Sequence, residues 1–190
     1  MNSPNKEITI KLLQSEDAEA MLSLCTASRA VFEKFQPAKA NEYYTLAAQL
    51  DEIEKGLVAM QAGNEYSFGI FREGKELVGR IRLSAVHRGV WQNANLGYFV
   101  GSPYHGLGFA TEAVKLSAAF AFGEAGLHRL QAAVMPCNPA SLRVMEKAGF
   151  RREGLAERYL NINGIWEDHV LFARTAEDED EANLEQPVLF

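Results

Sequence analysis

Ile8, Ile10 and Leu12 alternate with polar neighbours, so residues 7–13 read as a half-buried strand. Ser15 and Asp17 are capping residues for a helix running to about Lys34, and a loop with Pro37 follows. Leu46, Leu50, Ile53, Leu57 and Met60 recur at spacings of four and three, the signature of a second amphipathic helix, which Gly63 ends. Residues 66–72 and 77–86 are β-rich runs around Glu73-Gly74-Lys75, a hairpin signal. Residues 95–101 form another strand. Residues 110–123 predict a helix whose Ala110, Ala113, Val114, Ser117, Ala118 and Ala121 make a small-residue face, suited to lying close on a sheet. Residues 127–134 read as a strand. Asn138-Pro139 starts a helix, with Asn as cap and Pro in the first turn, and Gly149-Phe150 ends it in a Schellman pattern with Phe150 packing back on Met145. Residues 157–162 and 166–173 read as a closing hairpin around Asn163-Gly164. Strands cluster in the middle and strand–helix–strand units follow, which predicts one mixed α/β sheet with helices on both faces.

Composition places this pattern in an ordinary globular class: 190 residues, 47% hydrophobic, 23% charged. The length suits one domain able to bury its own core. The formal net charge of −6 is unevenly spread. Glu177, Asp178, Glu179, Asp180, Glu181 and Glu185 fall within 175–190 with no base among them. Without them acids and bases balance. The expected organisation is a single domain over 1–174 and an acidic, disordered tail over 175–190. The apolar close of that tail, Val188, Leu189 and Phe190, leaves a docking role open. Net acidity argues against nucleic acid as a partner. The N-terminal stretch lacks a signal-peptide plan, and no apolar run is long enough to span a membrane, so no membrane association is expected. Cys25 and Cys137 stand apart as free thiols of a reducing, cytoplasmic protein. His87, His105, His128 and His169 show no ligand spacing, so no metal is expected.

The chemistry concentrates in Ser102–Glu112, SPYHGLGFATE. A strand ends, a glycine-rich loop turns and a helix begins. Free N–H groups at a helix start, aligned with its dipole, hold phosphate well, and Gly106 and Gly108 let the backbone approach an anion closely. Taken locally, the segment is also compatible with a dinucleotide fingerprint or a tight turn that binds nothing. The dinucleotide reading wants a parallel sheet upstream, where this chain has a hairpin.

The wider pattern narrows the choice. His105-Gly106-Leu107-Gly108-Phe109-Ala110 resembles the Q/R-x-x-G-x-G/A pyrophosphate loop of the GNAT N-acetyltransferases. A small-faced helix, LHRLQAAV, NPASLRVMEKAGF, REG, Arg158 and NGIWED follow in the order seen in the branch that includes the ribosomal-protein alanine N-acetyltransferases. The resemblance covers about residues 7–174. One departure is His105, where the family usually has Gln or Arg.

The resemblance implies the GNAT fold: a central mixed antiparallel/parallel sheet, splayed at the acetyl-CoA site. It implies acetyl-CoA as co-substrate, its pantetheine arm along the strand carrying Tyr98, Phe99 and Val100. The pyrophosphate would lie over the loop of His105, Gly106, Leu107, Gly108, Phe109, Ala110 and Thr111. Asn138 and Ser141 match the family's N-x-x-S positions near the thioester. The expected reaction is direct acetyl transfer to a primary amine, a protein N-terminal α-amine such as that of a ribosomal protein. A small amine or amino acid as acceptor, and a non-catalytic acyl-CoA-binding module, are the alternatives.

Such a transfer needs a neutral amine, a donor for the developing oxyanion and a proton donor for the thiolate. Ser141 is the candidate acid, or else a first-turn serine serving the helix end. Asn138 is a catalytic residue and cofactor contact, or simply an N-cap. Glu112 is a candidate base whose place in the first turn the dipole alone would favour. Tyr98 is expected in core packing. Cys137 raises an acyl-cysteine scheme, with nothing nearby to activate it. Arg158 and Asp168 pair across the closing hairpin, shaping the acceptor cleft or merely decorating the surface. The base stays unassigned, and monomer and homodimer are both open.

Overall fold

A computed structural model describes residues 8–178. The elements run β1 (Ile8–Leu12), α1 (Ala18–Phe35), α2 (Leu46–Gln61), β2 (Tyr66–Arg72), β3 (Glu76–His87), β4 (Asn93–Val100), α3 (Phe109–Gly123), β5 (Arg129–Val134), α4 (Pro139–Lys147), β6 (Arg151–Ile162) and β7 (Ile165–Thr175). The seven strands form one sheet in the order β1-β2-β3-β4-β5-β7-β6. All neighbours are antiparallel except β4 and β5. These two run parallel and pair only over Asn93–Asn95 with Arg129–Gln131. Beyond that they part, and the sheet splays open.

Local chemistry explains most elements. Thr45 caps α2 by accepting from the Ala48 N–H. Gly149 takes φ +82 at the end of α4, where its N–H reaches Glu146 O and Phe150 N–H reaches Met145 O. That is the Schellman pattern, and Met145 and Phe150 are buried in one cluster. The small face of α3 (Ala113, Val114, Ser117, Ala118, Ala121) is fully buried against the sheet. Two apolar clusters result, one on each face. Ile81, Leu83, Leu96, Leu130, Val134 and Phe172 pack on the face shared with α3 and α4. Leu13, Met21, Leu24 and Phe71 join α1 and α2 on the other.

The closing hairpin differs from its prediction. β6 begins at Arg151, six residues earlier, and β7 runs to Thr175. β6 is an edge strand exposed along nearly its whole length, so it carries no alternation of apolar and polar positions to betray it. Register shifts at Arg152/Gly154 and Ala156/Leu160 break the pattern further. The expected Arg158–Asp168 ion pair does not form. Asp168 Oδ1 instead accepts from the Arg158 backbone N–H at 2.8 Å, within a bulge where Arg158 has φ +49. The first residues of the acidic segment are held: Asp178 meets Arg151 at 2.8 Å and the Thr175 N–H at 2.7 Å, and Glu177 meets His128 at 3.0 Å. The rest of the segment, with Val188–Phe190, lies outside the described residues.

Candidate active site

Where β4 and β5 part, a cleft of about 1060 Å³ passes through the sheet. Its walls come from both faces. On one side stand the α3 start and α4; on the other stand the end of α1, the segment after it, and β3.

The ladder decides what β4 offers to this opening. The Gly101 N–H bonds Val78 O at 2.8 Å, which extends the β3–β4 register and makes 78/101, 80/99 and 82/97 the hydrogen-bonded pairs. Phe99 therefore spends its backbone on β3. Leu96, Tyr98 and Val100 turn N–H and C=O toward the split. Side chains alternate the other way: Tyr98 and Val100 face α3 and α4, while Phe99 packs on Phe32 of α1 with ring centroids 4.6 Å apart.

Gly108 is the N-cap of α3, with φ +84 and no side-chain cap. The first-turn N–H groups of Phe109, Ala110 and Thr111 have no helical partner by geometry. Gly106 has φ +76, and a Cβ on either glycine would meet nothing within 4 Å. This is an open cradle of oriented donors, the arrangement that suits a phosphate. Gly106, Gly108, Phe109, Ala110 and Thr111 line the cleft, and Leu107 does not. The His105 ring folds back on the Val100 carbonyl at 2.9 Å. A carbonyl only accepts, so Nε2 carries the proton there.

Across the opening, Asn138 Oδ1 accepts from the Ser141 N–H at 3.1 Å, as an N-cap does. Ser141 Oγ is then released from helix duty and meets the Tyr98 hydroxyl at 2.9 Å. Tyr98 packs against the core cluster, as expected, and its hydroxyl also stands at the split, 43 positions from its partner. Burial pushes Tyr98 up to about 12, against the downward pull of the Ser141 hydrogen bond. Glu112 lies outside the lining and pairs with Lys115 at 3.6 Å. Cys137 is exposed and also outside the lining.

The opposite half holds residues that no motif marked. Arg80 is mostly buried and lies over the Phe99 ring, with its centre 5.8 Å from the centroid. Its polar contacts are long: 3.4 Å to the Tyr43 hydroxyl and 3.8 Å to Glu52. Burial pushes the Tyr43 phenol up, with Arg80 opposing. Arg82 is committed to Glu65 at 2.6 Å. Gly97 leaves open space beside them. The wall is tied down from afar by Asn163, whose side chain accepts from the Ala38 N–H at 2.7 Å and donates to Glu33 O at 2.8 Å. Alternation on β3 was the available signal for Arg80 and Arg82, since two arginines two apart share a face. Nothing local could have linked Asn163 to residues 33–38. Among the described residues no cluster of His, Cys, Asp and Glu is suited to a metal, and no helix is long and apolar enough to cross a membrane.

A splayed mixed sheet with an uncapped helix start at its opening is the framework of an acyl-transfer enzyme, and the comparisons agree. Residues 7–151 match the family described as Acetyltransferase (GNAT) domain. The chain belongs to that family and is an N-acetyltransferase. It is 41% identical over 177 residues to "Probable N-acetyltransferase YjcK" of Bacillus subtilis, covering 93% of this chain and 98% of the relative. It is 28% identical over 178 residues to the [ribosomal protein uS5]-alanine N-acetyltransferase of Escherichia coli, covering 90% and 89%. The solved structure of Mycobacterium smegmatis RimJ in complex with CoA-disulfide superposes with a TM-score of 0.84 at 28% identity, covering 93% of this chain and 89% of that one.

Proposed function

We propose that the chain transfers an acetyl group from acetyl-CoA to the α-amine at a protein N-terminus, such as that of a ribosomal protein. The full-length similarity to an enzyme named for the alanine of ribosomal protein uS5 carries this reading. The cradle at Gly106–Thr111 supports the co-substrate, because its N–H groups are open and its glycines leave room for an anion. Acetyl-CoA bound there would supply the activated thioester.

The chain's own residues do the rest. The backbone of Tyr98 and the N–H of Val100 present donors and an acceptor along the splayed edge, suited to an amide-rich arm and to negative charge developing on a carbonyl oxygen. Ser141 and Tyr98 hold a linked pair of hydroxyls at the same opening. A phenol held near 12 stays protonated at neutral pH, so this pair donates hydrogen bonds to a departing sulfur rather than carrying charge itself. Asn138 serves by capping α4, which frees Ser141 Oγ.

A small amino acid as acceptor has one observation in its favour. Arg80 lines the acceptor half with a mostly buried guanidinium whose contacts are long, and such a group suits a carboxylate. A thiol-release assay with acetyl-CoA against N-terminal peptides and free amino acids tests both readings, with intact mass spectrometry locating the added acetyl group. Turnover on peptides with an α-amine supports the proposal. Turnover on amino acids alone would move the assignment to the second reading, and tight acetyl-CoA binding without any turnover would sink both.

A further inference from the structure

We infer that His169 is the general base of the transfer, taking the proton of the acceptor amine at Nε2. The sequence left this role unassigned, and neither Glu112 nor Cys137 lines the cleft. His169 does line it. Only 3% of its surface is exposed, and its ring Nδ1 sits 3.0 Å from the backbone carbonyl of Glu167. That oxygen can only accept, so the neutral ring carries its proton on Nδ1 and presents a lone pair at Nε2. Nε2 has no hydrogen-bond partner among the described residues. It is also absent from the sealed, unpartnered polar atoms of the interior, so it opens to the cleft.

The sheet sets the level and the face. Val170 pairs with Val134 at the end of β5, past the three residues where β5 still touches β4. Val134, Val170 and Phe172 pack on the α3 and α4 face. Alternation therefore turns His169 to the other face, the one bearing Arg80 and Phe99. The Tyr98–Ser141 pair stands on the α3 and α4 face. Proton removal and hydrogen-bond donation to the sulfur are thus placed on opposite sides of one opening. The titratable group packed on His169 is Tyr159 of β6, its ring centroid 5.8 Å away. Lys39, Tyr43, Tyr44, Arg80 and Arg82 line the remainder of this half, with Glu33, which is paired to Arg29 at 2.7 Å.

The step balances as follows. The bond from the acceptor nitrogen to the acetyl carbon forms and the carbon–sulfur bond breaks. The amine proton goes to His169 Nε2, the sulfur departs as a thiolate held by hydrogen bonds from the Tyr98–Ser141 hydroxyls, and solvent carries the proton from Nε2 to that thiolate. A positioned base contributes about 10²–10⁴-fold.

His169→Gln should lower kcat about 100-fold while KM for acetyl-CoA and for the acceptor stays within about twofold, since the residue is not needed for binding either. In His169→Ala, added imidazole should restore kcat at least about tenfold, a response that a packing role would not produce. Nitrogen-15 spectra of the imidazole in the unliganded wild-type protein should show the Nδ1–H tautomer. A kcat within about threefold of wild type in His169→Gln, no rescue by imidazole, or an Nε2–H tautomer would each overturn the inference. It rests on the amine-transfer reading. Wild-type protein inert toward every acceptor would defeat that reading, whereas the tautomer is measured without any substrate and separates the two failures, including when a variant does not fold.

Discussion

Gly108→Ala separates the cost of a strained backbone from the cost of a blocked anion cradle. Gly108 sits at φ +84, ψ 0, and an L residue held in that left-handed region costs about 1–2 kcal/mol. No further steric term arises in the free protein, because the new Cβ meets nothing within 4 Å. In a domain of this size each kcal/mol moves Tm by about 2–4 °C, so the variant should melt about 2–8 °C lower. The same methyl projects into space that a phosphate would use over the α3 N-terminus. Losing one charge-assisted hydrogen bond is worth about 1.5–3 kcal/mol, which raises Kd for acetyl-CoA about 10–150-fold. Calorimetric titration gives Kd and a thermal melt gives Tm. A Kd within about threefold of wild type, with the expected drop in Tm, would falsify the assignment of this loop as the pyrophosphate cradle.

Two other outcomes are expected. An unfolded tyrosine ionises near pH 10, whereas Tyr98 holds its proton to about 12. Its contribution is therefore complete below pH 10 and disappears as pH rises toward 12, a loss of about 2–3 kcal/mol. Urea midpoints measured across that window should fall less steeply for Tyr98→Phe than for wild type, and parallel curves would count against a buried phenol. Asn163→Gly keeps the turn, where Asn163 and Gly164 have φ +52 and +92, but removes both bonds to residues 33 and 38. The irregular segment 36–40 is exposed throughout, so KM for the acceptor should rise about tenfold with KM for acetyl-CoA unchanged, and the Ala38 amide should exchange faster; unchanged exchange at Ala38 would refute the tie.

Much of this molecule was legible in order along the chain. The Asn138-Pro139 start and Gly149 end of α4, the small face of α3 and the uncapped turn at Gly106–Thr111 depend on residues within a few positions of each other. Backbone propensity and capping act over that range, so sequence alone determines them. The first half of β6, residues 151–156, escaped because an edge strand exposed on both faces needs no periodic pattern. The site itself is long-range. Parallel pairing that stops after three residues opens the sheet. Tertiary packing around it brings Tyr98 to Ser141, 43 positions away, and Asn163 to Ala38, 125 away. It also turns His169 and Arg80 into the same half-cleft. The chain determined locally where an anion could rest. Which side chains gather around the bond to be made was decided by strand register, because register sets which face and which level each distant residue occupies.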